Sequence, residues 1–205
     1  MLDRLLSHDR PRSVWLALML VAVFVALALA PFLFPGAKAM SVAAKMLVFI
    51  LLVASYDLLL GYTGIVSFAH TMFFGIGAYG VAIASTRLGE GWLALGIGVV
   101  AALAVALVLS LVIGLFSLRV KAIFFAMITL AVAAAFQTLA SQLSEFTGGE
   151  DGLTFKVPEV LQPSFELFED TVLGVSIDGR FLSYYLLCVV VLVLFLVLLR
   201  IVNSP

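Results

Sequence analysis

Long apolar runs dominate the sequence: Val14 to Phe34, Met46 to Leu60, Ile65 to Ser85, Trp92 to Leu118, Ala122 to Ala140 and Phe181 to Leu199. A helix rises about 1.5 Å per residue, so about 20 apolar residues cross a hydrocarbon core of roughly 30 Å. Five of the six runs have 19 residues or more. A soluble domain is typically about 25% charged, whereas only 11% of these residues are charged and 64% are hydrophobic. Inside lipid, every backbone polar group must find a partner within the protein, and a helix achieves this within one segment. The expectation is an all-α, polytopic helical membrane protein of about six transmembrane segments, with residues 1–205 forming a single membrane domain.

The first run could serve as a signal peptide, since Arg10 and Arg12 precede it and Ala28-Leu29-Ala30 imitates a cleavage site. Its 21 residues exceed the usual apolar region of about 7 to 15, and Pro31 follows the small-residue triplet directly. The segment is expected to be retained.

Short cytoplasmic loops accumulate Lys and Arg. A cytoplasmic N-terminus places Arg4, Arg10, Arg12, Arg119, Lys121 and Arg200 inside, six of the eleven basic residues. Glu90 and the eight acids from Glu145 to Asp178 then lie outside. Both termini are expected in the cytoplasm and residues 143–180 outside. This loop carries eight acids against Lys156 and Arg180, a formal charge of −6. Pro158, Pro163, Gly148, Gly149 and Gly152 interrupt any long helix there, while Phe155, Val157, Val160, Leu161, Phe165, Leu167 and Phe168 provide apolar contacts. A packed loop or short surface helix is expected.

The second run has only 15 residues, about 22 Å as a helix. It either starts earlier, around Lys45, or is a broken helix. Gly61-Tyr62-Thr63-Gly64 follows it, then a run rich in small residues. Interrupted membrane helices often line a transporter's substrate path, so this junction is the leading candidate site; a tight turn between helices is the plainer reading. Asp57 and His70 flank the junction. An ionisable residue at mid-membrane costs at least about 2.5 kcal/mol on insertion scales, so both should face protein or water. With antiparallel helices around the junction their depths differ by about 3 Å, within reach of a hydrogen bond; bracing of neighbouring helix ends is the alternative role.

Gly75-Ile76-Gly77-Ala78-Tyr79-Gly80 spells a dinucleotide-binding fingerprint, but that motif needs a preceding strand. Within an apolar run it reads as close helix packing, with Gly80 and Ala84 on one face. Thr129, Gln137 and Thr138 are compatible with a polar lining, although a threonine also bonds its own helix carbonyls. Trp92 and Tyr184 suit an interfacial aromatic belt. The lone Cys188 excludes an intramolecular disulfide or a cysteine metal cluster, and neither a metal nor a cofactor is expected in this chain. The sequence contains no ATP-binding P-loop, no H-E-x-x-H and no G-x-S-x-G. An enzyme is not expected, any ATP-driven role needs separate subunits, and the sparse basic residues offer no nucleic-acid surface.

Three stretches together resemble the branched-chain amino acid ABC transporter permeases, specifically the LivM-type subunit. They are Asp57 to His70 continuing through Phe73 to Tyr79, Leu118 to Ala131, and Leu143 to Leu153 with Thr147-Gly148-Gly149-Glu150-Asp151-Gly152. The first is the most specific, joining the Gly-Tyr-Thr-Gly turn to a histidine and an aromatic-glycine run. The resemblance implies a multi-pass inner-membrane permease for branched-chain or related amino acids. It would pair with a LivH-like second permease, be driven by two ATP-binding subunits and receive substrate from a periplasmic binding protein. Asp57, Gly61, Tyr62, Thr63, Gly64, Ser67 and His70 would form the substrate path or a structural break. Thr147, Gly148, Gly149, Asp151 and Gly152 would lie in the outer loop, part of the delivery surface. Related permeases carry urea or short amides, and Asp57 stands where many LivM-type sequences have Asn and urea-type permeases often have Asp, so those solutes are the alternative, with a channel or carrier independent of ATP the other. In the family, the Ser-Pro matching Ser204-Pro205 precedes a basic segment that contacts the ATPase and further helices, so the chain resembles the N-terminal part of a permease.

Overall fold

The computed structural model describes residues 14–34, 36–117, 120, 122–165 and 178–202. Arg4, Arg10, Arg12, Arg119 and Lys121, on which the expected orientation rests, lie outside the described residues, as do Leu167, Phe168, Ser204 and Pro205. The described elements are helical: α1 (Val14–Ala28), α2 (Ala30–Leu33), α3 (Ala37–Thr63), α4 (His70–Leu88), α5 (Trp92–Ser117), α6 (Ala122–Gln142), α7 (Ser144–Thr147), a 3₁₀ turn (Glu159–Leu161) and α8 (Gly179–Val202). Among the described residues four stretches, Ala37–Thr63, Trp92–Phe116, Ile123–Gln142 and Gly179–Arg200, are long and apolar enough to cross a membrane. Their large exposed side chains, such as Leu93, Leu115, Ile123 and Val189, suit a lipid or protein surrounding. The helices fall into two compact units, residues 1–58 with 160–205, and residues 59–159.

Helix α3, whose residues 37–58 belong to the first unit, is one unbroken helix of 27 residues, about 40 Å long. Of the two alternatives for the short second run, the earlier start holds, and it lies well before Lys45. Lys38, Ser41 and Lys45 interrupt the apolar run without interrupting the backbone ladder. The first run, by contrast, is not one helix: α1 stops at Ala28, and a four-residue helix with Pro31 in its first turn follows. Proline has no N–H to give the carbonyl four residues back, so the Leu27 carbonyl loses its helical partner. The Phe32 N–H bonds the Leu29 carbonyl at 3.0 Å, which leaves the Ala28 carbonyl without its usual donor as well. Two adjacent tyrosines of α8 take both places. Tyr184 donates its hydroxyl to the Leu27 carbonyl and Tyr185 to the Ala28 carbonyl, the latter at 2.8 Å. Around this join, Leu27, Ala43, Leu47, Tyr184 and Val191 form the buried core. Phe24 with Phe195 and Phe32 with Phe181, at centroid distances of 5.4 and 5.8 Å, show α1 and α2 running antiparallel to α8.

In the second unit, α4 and α5 form a hairpin across Gly89 to Gly91. They touch where Gly80 meets Gly98. A Cβ added at Gly98 would lie 2.8 Å from the Gly80 carbonyl and 3.0 Å from the Ala84 methyl, and one added at Gly80 would lie 2.7 Å from the Ala102 methyl. Gly80 and Ala84 thus share the face expected of them, and the glycine-rich hexapeptide packs helices. Ala69, Met72, Ile76 and Ala102 form the core, with Phe73, Val132 and Phe136 against it.

Candidate functional site

The break between α3 and α4 lies later than the glycine pattern indicated. Gly61, Tyr62 and Thr63 complete the last turn of α3, because the backbone ladder continues through them: the Gly64 N–H still reaches the Leu60 carbonyl at 2.9 Å. Thr63 donates its hydroxyl to the Leu59 carbonyl at 2.6 Å and accepts the Ile65 N–H at 3.4 Å, which closes the helix end. Gly64 then takes φ +65°, a left-handed conformation that costs other residues roughly 1–2 kcal/mol. Residues 64–67 are non-helical, and α4 begins at His70.

This non-helical strand of chain is held by a residue distant in sequence. Thr129 on α6 is fully buried; it donates its hydroxyl to the Ala126 carbonyl at 2.9 Å and accepts the Phe68 N–H at 3.1 Å. Its bond to its own helix was foreseeable. The lone pair it keeps for Phe68 was not, since no local pattern points to a partner 61 residues away. Thr138 bonds only locally, to the Ala134 carbonyl at 3.0 Å. Ser67 and Ala69 are buried beside the Thr129 anchor, whereas Gly61, Tyr62, Thr63 and Gly64 are exposed. His70 is half-buried at the first turn of α4, in the second unit; Asp57 is exposed on α3, in the first. An exposed carboxylate on a helix suited to span lipid calls for water or a partner protein beside it.

The 143–180 loop starts with a compact turn at the end of α6. Thr147, 7% exposed, donates to the Ala140 carbonyl at 2.5 Å, has the Leu143 carbonyl at 2.8 Å, and accepts the Gly149 N–H at 3.2 Å. Gly148 has φ +75°, and a Cβ there would collide with the Gly152 carbonyl. The chain doubles back tightly at this point, leaving Glu150 and Asp151 exposed. Two contacts join the turn to the α4–α5 hairpin: Arg87 donates to the Glu145 carbonyl at 3.1 Å with its guanidinium 5.4 Å from the Phe146 ring, and Lys156 pairs with Glu90 at 2.8 Å. The Glu90 carboxylate, by hydrogen bond and charge, raises the Lys156 amine above its ordinary pKa. Glu90 and Glu145 therefore sit at one end of the second unit. Among the described residues no group of three or more His, Cys, Asp or Glu is placed to hold a metal.

Long apolar helices, one of them ending in an unwound segment pinned through a buried threonine, define a multi-pass membrane protein. The family is shown by the sequence: residues 38–204 match the permease component of branched-chain amino acid transport systems. That match covers most of the chain, so it belongs to this family of transport permeases. Neither a curated protein nor a solved structure gives a match.

Proposed function

We propose that this chain is the LivM-type permease subunit of an ATP-driven importer for branched-chain or related amino acids in the cell inner membrane. It pairs with a LivH-like second permease, two ATP-binding subunits drive it, and a periplasmic binding protein delivers substrate. Six membrane segments with both termini in the cytoplasm put the acidic 143–180 loop on the delivery side. Transport proceeds by alternating access, with the unwound segment between α3 and α4, which ends at His70, on the substrate path. The observation that carries this reading is the family match over residues 38–204. The anchored break supports it, because unwound backbone inside a membrane protein is tolerated only where protein or a cavity surrounds it. Affinity purification of the tagged chain from native membranes tests the subunit composition. The expected result is recovery of a second permease and an ATPase; a chain that purifies alone and still transports would favour an ATP-independent carrier.

A further inference from the structure

In the first unit, the start of α3 and the start of α8 border an open cavity of about 250 Å³, lined by Met40, Ser41, Ala44, Leu161, Arg180, Ser183 and Leu187, with Ser41 and Arg180 exposed at its mouth. At about 30 Å³ per water this is room for roughly eight waters, comparable to a solute of about nine non-hydrogen atoms. Among the described residues Arg180 is the only charged side chain lining it, and it makes no hydrogen bond or ion pair there. The acid nearest in sequence, Asp178, is occupied capping α8, accepting the Phe181 N–H at 3.1 Å. Both serines spend their protons on helix carbonyls: Ser41 on Ala37 at 2.9 Å, and Ser183 on Gly179 at 2.8 Å with Leu161 at 3.1 Å. Each hydroxyl oxygen then has lone pairs left and no proton to offer, which makes it an acceptor toward the cavity. Met40, Ala44, Leu161 and Leu187 supply an apolar wall.

We propose that this cavity is a binding site for a small aliphatic α-amino acid zwitterion. Arg180 takes the carboxylate, the Ser41 and Ser183 oxygens accept from the ammonium, and the apolar wall receives the side chain. A guanidinium fork matches a carboxylate in two parallel hydrogen bonds. An ammonium offers three donors and accepts nothing, so hydroxyls whose protons are committed elsewhere suit it. The site lies at the N-terminal ends of α3 and α8 and includes Leu161 and Arg180 of the 143–180 loop, and would be a first docking place for substrate. The inference rests on the amino acid permease reading and goes beyond it by naming the residues that hold the substrate.

The test is binding of L-leucine to the full chain in phosphatidylcholine nanodiscs, read by saturation transfer to the leucine methyl groups. Two competitors separate the contacts: 4-methylpentanoate keeps the carboxylate and lacks the amine, whereas 3-methylbutylamine does the opposite. The expected result is leucine binding that both competitors displace only weakly. Arg180→Gln should weaken it about tenfold or more, Arg180→Lys less, and Ser41→Val about threefold, in line with charged and neutral hydrogen bonds. Helical circular dichroism and a monodisperse elution profile select the folded variants, and Ser41→Val serves if Arg180→Gln fails to fold. Absence of leucine binding to the unaltered chain, or unchanged affinity in the folded variants, overturns the proposal. So does loss of leucine binding in phosphatidylglycerol nanodiscs, which would assign Arg180 to a lipid phosphate. Failure of the permease reading shows separately, as amino acid uptake that persists in cells lacking the chain.

Discussion

Tyr184→Phe removes a single oxygen, yet it strips the Leu27 carbonyl of the donor that replaces the one Pro31 cannot provide. Tyr184 is 3% exposed, so no water compensates. A buried carbonyl left unpaired costs about 1–3 kcal/mol in soluble proteins, and interhelical hydrogen bonds in membranes average about 0.6 with a maximum near 1.7. The buried setting and the proline that blocks the alternative donor favour the upper part of the membrane range, about 1–1.5 kcal/mol. A double-mutant cycle isolates the cause. Pro31→Ala restores an N–H at position 31 that reaches Leu27 in a continuous helix, so Tyr184→Phe should cost almost nothing in that background. The coupling energy should therefore be about 1 kcal/mol, measured by reversible unfolding in mixed micelles with SDS. Equal losses in the two backgrounds, or no loss in the first, would refute the account of how the α1–α2 join is satisfied.

Gly98→Ala should destabilise the chain by about 1–3 kcal/mol in the same assay, because its methyl meets the Gly80 carbonyl and the Val81 backbone at 2.8 Å; Gly77→Ala, with nothing within 4 Å, should be near neutral. Thr129→Val keeps the shape and loses the acceptor for Phe68, so hydrogen exchange at the Phe68 amide should accelerate at least about tenfold, the effect of about 1.4 kcal/mol, whereas Thr129→Ser should retain protection. The Lys156 pKa is raised by Glu90, so the pairing is fully present below the ordinary lysine pKa and lost as pH rises through the higher folded value. Nitrogen NMR of Lys156 should show that raised titration, and Glu90→Gln should return it to the ordinary range; an unchanged titration would exclude the ion pair in solution.

Much of the architecture is legible in apolar runs. The run Trp92 to Leu118 became α5 (Trp92–Ser117), and Ala122 to Ala140 became α6 (Ala122–Gln142), since in those segments apolarity and helical bonding end together. They separate elsewhere. The hydropathy of α3 drops at Lys38, Ser41 and Lys45, although its backbone bonds do not, so the run understated the helix. In the first run the reverse holds: apolarity continues through Pro31 while the backbone ladder breaks there. Glycine at 61 permits a turn without compelling one, and the break came where Gly64 takes positive φ and Thr129 supplies an acceptor. Of the candidate residues, Gly64, Ser67 and His70 belong to the unwound segment or its edges, and Thr147 and Gly148 build the loop turn. Thr129, Tyr184, Tyr185 and Arg180 gain their roles from partners or cavities formed by distant segments, which no spacing along the chain encodes.

The most direct test of the permease assignment is uptake of radiolabelled leucine, isoleucine and valine by cells in which the native locus is deleted and then restored. The account predicts that ATP-dependent uptake of at least one of these amino acids is lost on deletion and regained on restoration. Uptake of all three at unchanged rates in the deletion strain would contradict it.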